Sequence, residues 1–505
     1  MKHTTLAVLG FWAIALVGPA ITVSEASSSR TWVLRDLKSD EDVMLDGVAL
    51  TADGGIRLSA RVIPIFDAAQ PNLWCLARDA RGRIYAGSGN DGKVFRIDPD
   101  GGNPEVIFDS DELEVHAIAF DADDRLYVAT SPDGAVFRIT PEGMPVMIFD
   151  PSETYIWAMV LDDHDRLYVA TGHPGRVYRV DHLEPNASGV VVLDGHEENI
   201  RTLIRDEKGT LYAGSDQSGI VYRITPPDKT SVIYDSPMRE IAAIAVAPGA
   251  DGEERLYIAT LAPLPRRAAS SGETPGTGDV THVQITAEGP DNGEKGEGSE
   301  EQQRRRRAAR RPTPDRYFGA IYELTTRGYA RRLWQSTDAL PLSLARLSPQ
   351  GDGWGEGVLV GTGSAGRVLL VRASGDASEY VTIPSQQVNA LIPDGHGAFY
   401  AAASNLGQVV RISPGAADSG TVTSPVHDAG FTSTWGTISW TADEPGGAAV
   451  TLQVRTGDTE KPDDSWSAWS SAYTDATGEA IRRPHARFVQ WRAKLAAGRA
   501  GVSPV

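Results

Sequence analysis

A chain of 505 residues exceeds what one ordinary hydrophobic core can bury, which leaves a repeat protein, a barrel or several domains. Its composition, 41% hydrophobic with 52 glycines, 31 prolines and only 6 methionines, describes a turn-rich globular chain poor in long helices, so an all-β fold is expected. The formal net charge of −19 excludes a whole-protein nucleic-acid binder, because the phosphate backbone demands a basic footprint.

Residues 1–26 read as a secretory signal. Lys2 and His3 precede an apolar run from Leu6 to Val17, and Ser24 and Ala26 occupy the minus-three and minus-one positions of a cleavage site. That run is too short to span a bilayer, and no later stretch is apolar enough to do so. The chain is therefore expected to be exported, to the periplasm or the outside of the cell. No cysteine lies near the cut, which argues against a lipid anchor. The single cysteine, Cys75, leaves no intramolecular disulfide, so the core must hold the fold, and Cys75 itself reads as a small buried apolar residue. Residues 27–60 form an N-terminal segment.

From residue 61 to residue 415 the sequence repeats. GRIYAGSG ending at Ser88–Gly89 returns as DRLYVATS ending at Ser131, DRLYVATG ending at Gly172, GTLYAGSD ending at Asp216 and ERLYIATL ending at Leu261. The first four copies lead through a glycine into a second strand: GKVFRID, GAVFRIT, GRVYRVD and GIVYRIT. Two weaker copies follow, with GRVLLV from Gly366 and GQVVRIS from Gly407, making seven. The marker tyrosines Tyr85, Tyr127, Tyr168, Tyr212 and Tyr257 are about 41 to 45 residues apart, the length of one four-stranded propeller blade. Each unit orders an inner strand such as VHAIAFD, the tyrosine strand, the VFRI strand and an outer strand such as EVIFD. Outer elements alternate with period two, whereas inner strands are apolar throughout because neighbouring blades would cover both faces. A seven-bladed β-propeller is expected. Asp79, Asp121, Asp162 and Asp206 close the inner strands and read as turn caps rather than calcium ligands. The seventh unit ends without an outer strand, and RVIPIFD (Arg61 to Asp67) supplies one, so the N-terminal strand should close the ring.

In the fifth unit the hairpin after the tyrosine strand is expanded over residues 263–316. This insert is rich in Gly, Pro, Glu and Ser and is expected to be disordered. It ends in RRRRAARR, Arg304 to Arg311, which reads as a solvated charge run or as a contact for an anionic surface. From residue 421 to residue 505 the repeat is gone, and TSPVHDAGF, AVTLQVRTGD, SWSAWSS and RFVQWRAKL alternate as strands of a β-sandwich. Ser503-Pro504-Val505 reads as the opening of a further strand, so the sandwich is expected to lack one within these residues. Trp466 to Ser470 resembles the Trp-Ser-x-Trp-Ser motif of fibronectin type III domains in cytokine receptors, and Arg455, Arg487 and Arg492 are the arginines able to stack on its tryptophans. Trp435, Trp440, Trp466, Trp469 and Trp491 are expected in core or ladder roles on a fibronectin-like or carbohydrate-binding-like sandwich.

Propeller ligands sit at the axial mouth, where inner strands open. Aligning the units gives a first column of Asn72, Glu114, Tyr155, Asn199, Glu240 and Gln387, and a second of Trp74, His116, Trp157, Arg201, Ala242, Ser343 and Asn389. Both columns vary among aromatic, charged and amide residues where the rest of the repeat keeps one type, which points to specialisation. The tyrosine-strand repeats resemble the NHL, YVTN and senescence-marker-protein-like propellers, a WD40-like superfamily, over residues 61–414. That resemblance implies a propeller fold. Its lactonase members imply a central divalent ion, Ca2+ among the candidates, with Glu114, Asn72, Asn199 and Glu240 of the right chemical type. Ser131-Pro132-Asp133-Gly134, which carries part of the lactonase signature, falls in a hairpin instead of the inner-strand turn. His116 is placed to act as a general acid or base, while serine-elbow, zinc-helix and phosphate-loop motifs are absent. The expected function is thus an exported binding or scaffold protein recognising a protein, peptide or glycan through the mouth. The alternative is a metal-dependent hydrolase or a lyase on the axis.

Overall fold

A computed structural model describes residues 32, 43–51, 54–249, 253–262, 318–347 and 357–505. The expected signal sequence and the Arg304 to Arg311 run with its insert lie outside the described residues. Among these residues no helix is long and apolar enough to cross a membrane.

The fold is all-β. Among the described residues seven four-stranded antiparallel meanders follow one another, the first built from Asn72–Arg78, Ile84–Gly89, Lys93–Ile97 and Glu105–Asp109. The inner strands of the others are Glu114–Phe120, Tyr155–Leu161, the C-terminal half of Val190–Arg205, Glu240–Pro248, Pro341–Arg346 and Gln387–Pro393. Each inner strand packs beside the next, and Gln387–Pro393 packs beside Asn72–Arg78. The seventh meander takes its outer strand from the start of the chain: Ala60–Asp67 pairs antiparallel with Gln408–Ala416, Phe66 opposite Val409 and Val62 opposite Ile412.

The apolar inner strands bury themselves between neighbouring units. Leu73, Ile84 and Ala86 of the first unit share one cluster with Tyr400, Ala402 and Val409 of the seventh. Tyr127 and Ala129 of the second meet Ile156, Leu167 and Val169 of the third. Each such fully buried aliphatic side chain contributes about 1.5–3 kcal/mol over an exposed one. Cys75 joins this packing: burial pushes its thiol up to about 12, and its Sγ lies 3.4 Å from the Val115 carbonyl oxygen.

The marker tyrosine has a local cause. Asp79 Oδ1 accepts the backbone N–H groups of Arg81 and Arg83 at 3.0 and 2.8 Å, and Oδ2 accepts Arg83 Nε at 2.6 Å and the Tyr85 hydroxyl at 3.2 Å. Asp121 repeats the set with Asp123, Arg125 and Tyr127. Asp162 caps its turn and takes Arg166; Asp206 caps its turn and takes Tyr212. Asp394 caps the seventh turn and takes Arg411. These buried carboxylates are turn caps with every oxygen engaged.

The N-terminal segment does not stand alone. Met44–Asp46 pairs with Ser419–Thr423, which pairs with Ala486–Ala496, while Ala449–Gly457 flanks the other side of that strand. Residues 466–473 run beside Ala449–Gly457 as a further edge, with Ser470 N donating to Val454 O at 2.9 Å. Val505 exchanges backbone hydrogen bonds with Asp443 at 2.7 and 3.0 Å. Arg455 lies over Trp466 and Trp469 at 5.4 and 4.6 Å, and Arg492 over Trp469 at 4.5 Å. Arg487 departs from the expected ladder: it pairs with Asp428 at 2.7 Å and lies over Phe488.

Candidate functional site

In all seven inner strands the register against the tyrosine strand slips by one residue at the same place. The pairing skips Trp74, His116, Trp157, Arg201, Ala242, Leu342 and Asn389 in turn. A bulge of this kind leaves one residue out of the ladder and re-aims its side chain. The second candidate column is therefore a column of bulge residues, which explains why it escapes the repeat's constraint. One member needs correction. The sixth unit places Leu342 at the bulge, whereas Ser343 is paired and bonds the Val388 carbonyl at 2.9 Å, as Cys75 does that of Val115 in the first unit.

Four consecutive bulge residues touch around the mouth. Trp74 stacks on His116 at 5.5 Å, His116 meets Trp157 at 4.6 Å, and the Arg201 guanidinium lies over the Trp157 ring at 3.8 Å. Tyr155 stacks on Trp157 at 5.0 Å with an interplanar angle of 15°. The indoles need room that only glycine leaves. A Cβ at Gly89 would fall 1.9 Å from Trp74 Nε1, and one at Gly172 would fall 2.4 Å from Trp157 Nε1. Both units with a bulge tryptophan end their tyrosine strand in glycine, a pairing visible in IYAGSG and LYVATG.

The first column supplies the polar partners. His116 Nε2 and Glu114 Oε2 are 2.8 Å apart, and this hydrogen bond holds the Glu114 carboxyl below its ordinary range. Trp157 Nε1 donates to Asn199 Oδ1 at 2.9 Å, and Asn199 Nδ2 donates to Asp216 Oδ2 at 2.6 Å. Arg201 Nε faces Glu240 Oε1 at 3.7 Å. Burial pushes the Glu240 carboxyl up, Arg201 pulls it down and Asp216 adds to the rise. His173, at a positive φ of 59°, closes the run against Tyr155 at 5.7 Å.

The structure thus brings together Trp74, Glu114, His116, Tyr155, Trp157, Asn199, Arg201 and Glu240. It places Asn72 and Asn389 in other bonds. Asn72 donates to Asn90 at 3.2 Å, and Asn389 donates to the Leu73 carbonyl and to Ser404 Oγ at 3.1 and 2.6 Å, tying the seventh unit to the first. Asp216, His173, Gly89 and Gly172 belong to the site and are not among the residues picked from sequence.

The oxygen donors proposed for a divalent ion do not fit one. Glu114 faces His116, Glu240 faces Arg201, and Asn199 sits between Trp157 and Asp216. Among the described residues no group of three or more His, Cys, Asp or Glu side chains could hold a metal ion. Chemically, the arrangement offers aromatic faces, an oriented imidazole and carboxylates of unequal basicity.

No protein-family model and no curated protein matches the sequence. Solved structures do. Virginiamycin B lyase from Staphylococcus aureus superposes with a TM-score of 0.50 at 10% identity, covering 70% of this chain and 99% of that one. The WD40 repeats of RRP9 give 0.48 at 12% identity, covering 71% and 99%. YCF48 bound to D1 peptide gives 0.46 at 12% identity, covering 70% and 96%. At such identities likeness speaks to fold alone, and what it establishes here is an all-β chain of propeller type.

Proposed function

We propose that this is an exported binding protein, a closed seven-bladed propeller with a C-terminal fibronectin-like or carbohydrate-binding-like sandwich, that holds a protein, peptide or glycan partner at its mouth. The observation that carries this reading is the run Trp74, His116, Trp157, Arg201. Four successive bulges, each of which removes a residue from the ladder, deliver side chains that touch one another. A fold with no use for that surface would fill it with the small residues the paired column shows, such as Ala117 and Ala158. The test screens the wild type and a Trp74→Ala/Trp157→Ala variant against the same peptide and glycan arrays. Partners should be lost in the variant while its far-ultraviolet spectrum is kept. Partners that bind both forms equally would sink the reading.

A lyase or hydrolase on the axis is the second reading, and it rests on the Glu114–His116 pair. A carboxylate on one imidazole nitrogen fixes the tautomer and leaves the other nitrogen for proton transfer. Turnover by the wild type that vanishes in His116→Ala would favour it, without any need for a divalent ion.

A further inference from the structure

We propose that the ligand of this mouth is cationic, carrying guanidinium or ammonium groups on a flexible stem; this rests on the mouth being a binding site. Two trios of the same make lie side by side. In one, Trp157 presents its ring, Glu240 its carboxylate, and Arg201 fills the place between them, 3.8 Å from the ring centre and 3.7 Å from the carboxylate oxygen. In the other, Trp74 presents the ring, Glu114 the carboxylate, and His116 occupies the middle. Aromatic face plus carboxylate is the cradle of an organic cation, and the chain's own guanidinium already demonstrates the fit. Trp74 stands at one end of the run, half-buried and stacked on His116 by one face, so its exposed remainder is the surface offered to a second cation.

Two of the connections around this run carry acids and no lysine or arginine. The connection entering the second unit reads DSDELE (109–114), and that entering the fourth reads DGHEEN (194–199). Glu112 is held above its ordinary range by burial and then by the neighbouring Asp133 and Asp111, and Glu198 lies 3.6 Å from His173. The opposite end of the units is different in kind: Asp79, Asp121, Asp162 and Asp394 are each locked to an arginine. The arginine-bound caps are neutralised within the fold; at the mouth Asp91 pairs with Lys93 and Asp194 with Arg176, while Glu112 stays beside Asp133 and Asp111. An incoming cation would relieve that repulsion, whereas an anion would meet Glu114, Asp216 and Glu240 around the already covered Arg201. A neutral glycan would use the rings and strand the carboxylates.

The experiment is calorimetric titration of the full chain at low salt with hexa-arginine, spermidine, hexa-glutamate and cellohexaose. Hexa-arginine should bind. The Glu114→Gln/Glu240→Gln double variant should weaken it about tenfold or more, and Trp74→Ala/Trp157→Ala should weaken it further. Glu142→Gln/Glu184→Gln removes the same charge from exposed turns at the other end and should leave it within about twofold. Spermidine binding with the same sensitivities would identify a free amine as a competent source of the cation; binding of hexa-arginine alone would identify a peptide. Equal weakening by both charge-matched double variants, or no heat from either cation, overturns the proposal. If cellohexaose or hexa-glutamate binds in a Trp74- and Trp157-dependent way and the cations do not, the mouth is still a binding site and the cation assignment falls. If hexa-arginine binding survives loss of both tryptophans, the mouth is not where it binds.

Discussion

Among the described residues arginine lies on tryptophan in two places, and the two differ in what occupies the arginine's remaining N–H groups. On the C-terminal sheet, Arg455 gives Nε and Nη2 to Gln490 Oε1 at 2.9 and 2.6 Å, and Arg492 gives Nε to Gln453 Oε1 at 2.9 Å. Arg455 and Gln490 stand directly opposite each other in the ladder, as do Gln453 and Arg492. Regular register makes that geometry, and neutral amides complete it. At the mouth, Arg201 reaches Trp157 and Glu240 from three different units through a bulge, its closest carboxylate oxygen remains 3.7 Å away, and the surrounding acids are unequally satisfied. The same residue pair is a staple where its donors are used up within one sheet, and where they are not it is the surface we propose for recognition.

That contrast can be broken most directly with the tryptophans. Trp466 is 7% exposed and donates Nε1 to Thr459 Oγ1 at 2.9 Å, so Trp466→Ala should cost about 3–5 kcal/mol in chemical denaturation of the C-terminal transition. Trp157→Ala should cost clearly less stability and remove ligand binding. If the two variants lose equal stability and both keep partner binding, the distinction fails. A smaller effect is expected from Gly89→Ala, which puts a methyl group where the Trp74 indole lies. We expect overpacking of about 1–3 kcal/mol, with weakened binding and an altered tryptophan emission spectrum. An unchanged spectrum would mean that Trp74 does not rest on Gly89.

The smallest effect sharpens the comparison through pH. Glu114 has a folded value below its unfolded one, so its stabilisation is present above the unfolded range near 4.3 and is lost as pH falls through the lowered folded value. For a partly exposed pair the effect is about 0.5–1 kcal/mol. Glu114→Gln should flatten that acid-side loss in melting experiments, while Arg455→Lys, on a ladder that pairs arginines with amides, should lower stability by the same amount at pH 3.5 and pH 7.

Much of the propeller was readable because its marker is a local device. Asp, Arg four residues later and Tyr six residues later close one turn on themselves, so the pattern survives in GRIY and DRLY wherever the turn survives. The outer strand at Ala60–Asp67 was equally readable, since its RVIPIFD pattern matches the strand the seventh unit lacks. The sixth unit has neither the Asp nor the Tyr, and there a one-residue bulge was enough to misplace the column onto Ser343. Asp216 and His173 join the site through the ends of tyrosine strands, a position that looks like ordinary turn sequence until the fold brings it beside Asn199 and Tyr155. Asn389 has the chemistry of a ligand contact, but its amide is engaged across the seam between the first and last units. That use depends on ring order, which no single repeat encodes.

The pairing of Ala60–Asp67 with Gln408–Ala416, and of Met44–Asp46 with Ser419–Thr423, has a consequence for biogenesis. The first strands to emerge find their partners only after the entire repeat has been made. Until then a nascent chain carries two open edges, and contacts of such sequence separation form slowly. Under the export we propose, a chain threaded from its N-terminus would reach the far side with those edges exposed. Holding them apart from other chains during that interval is a task for a chaperone, and a circular permutant opened between two middle units would shorten it.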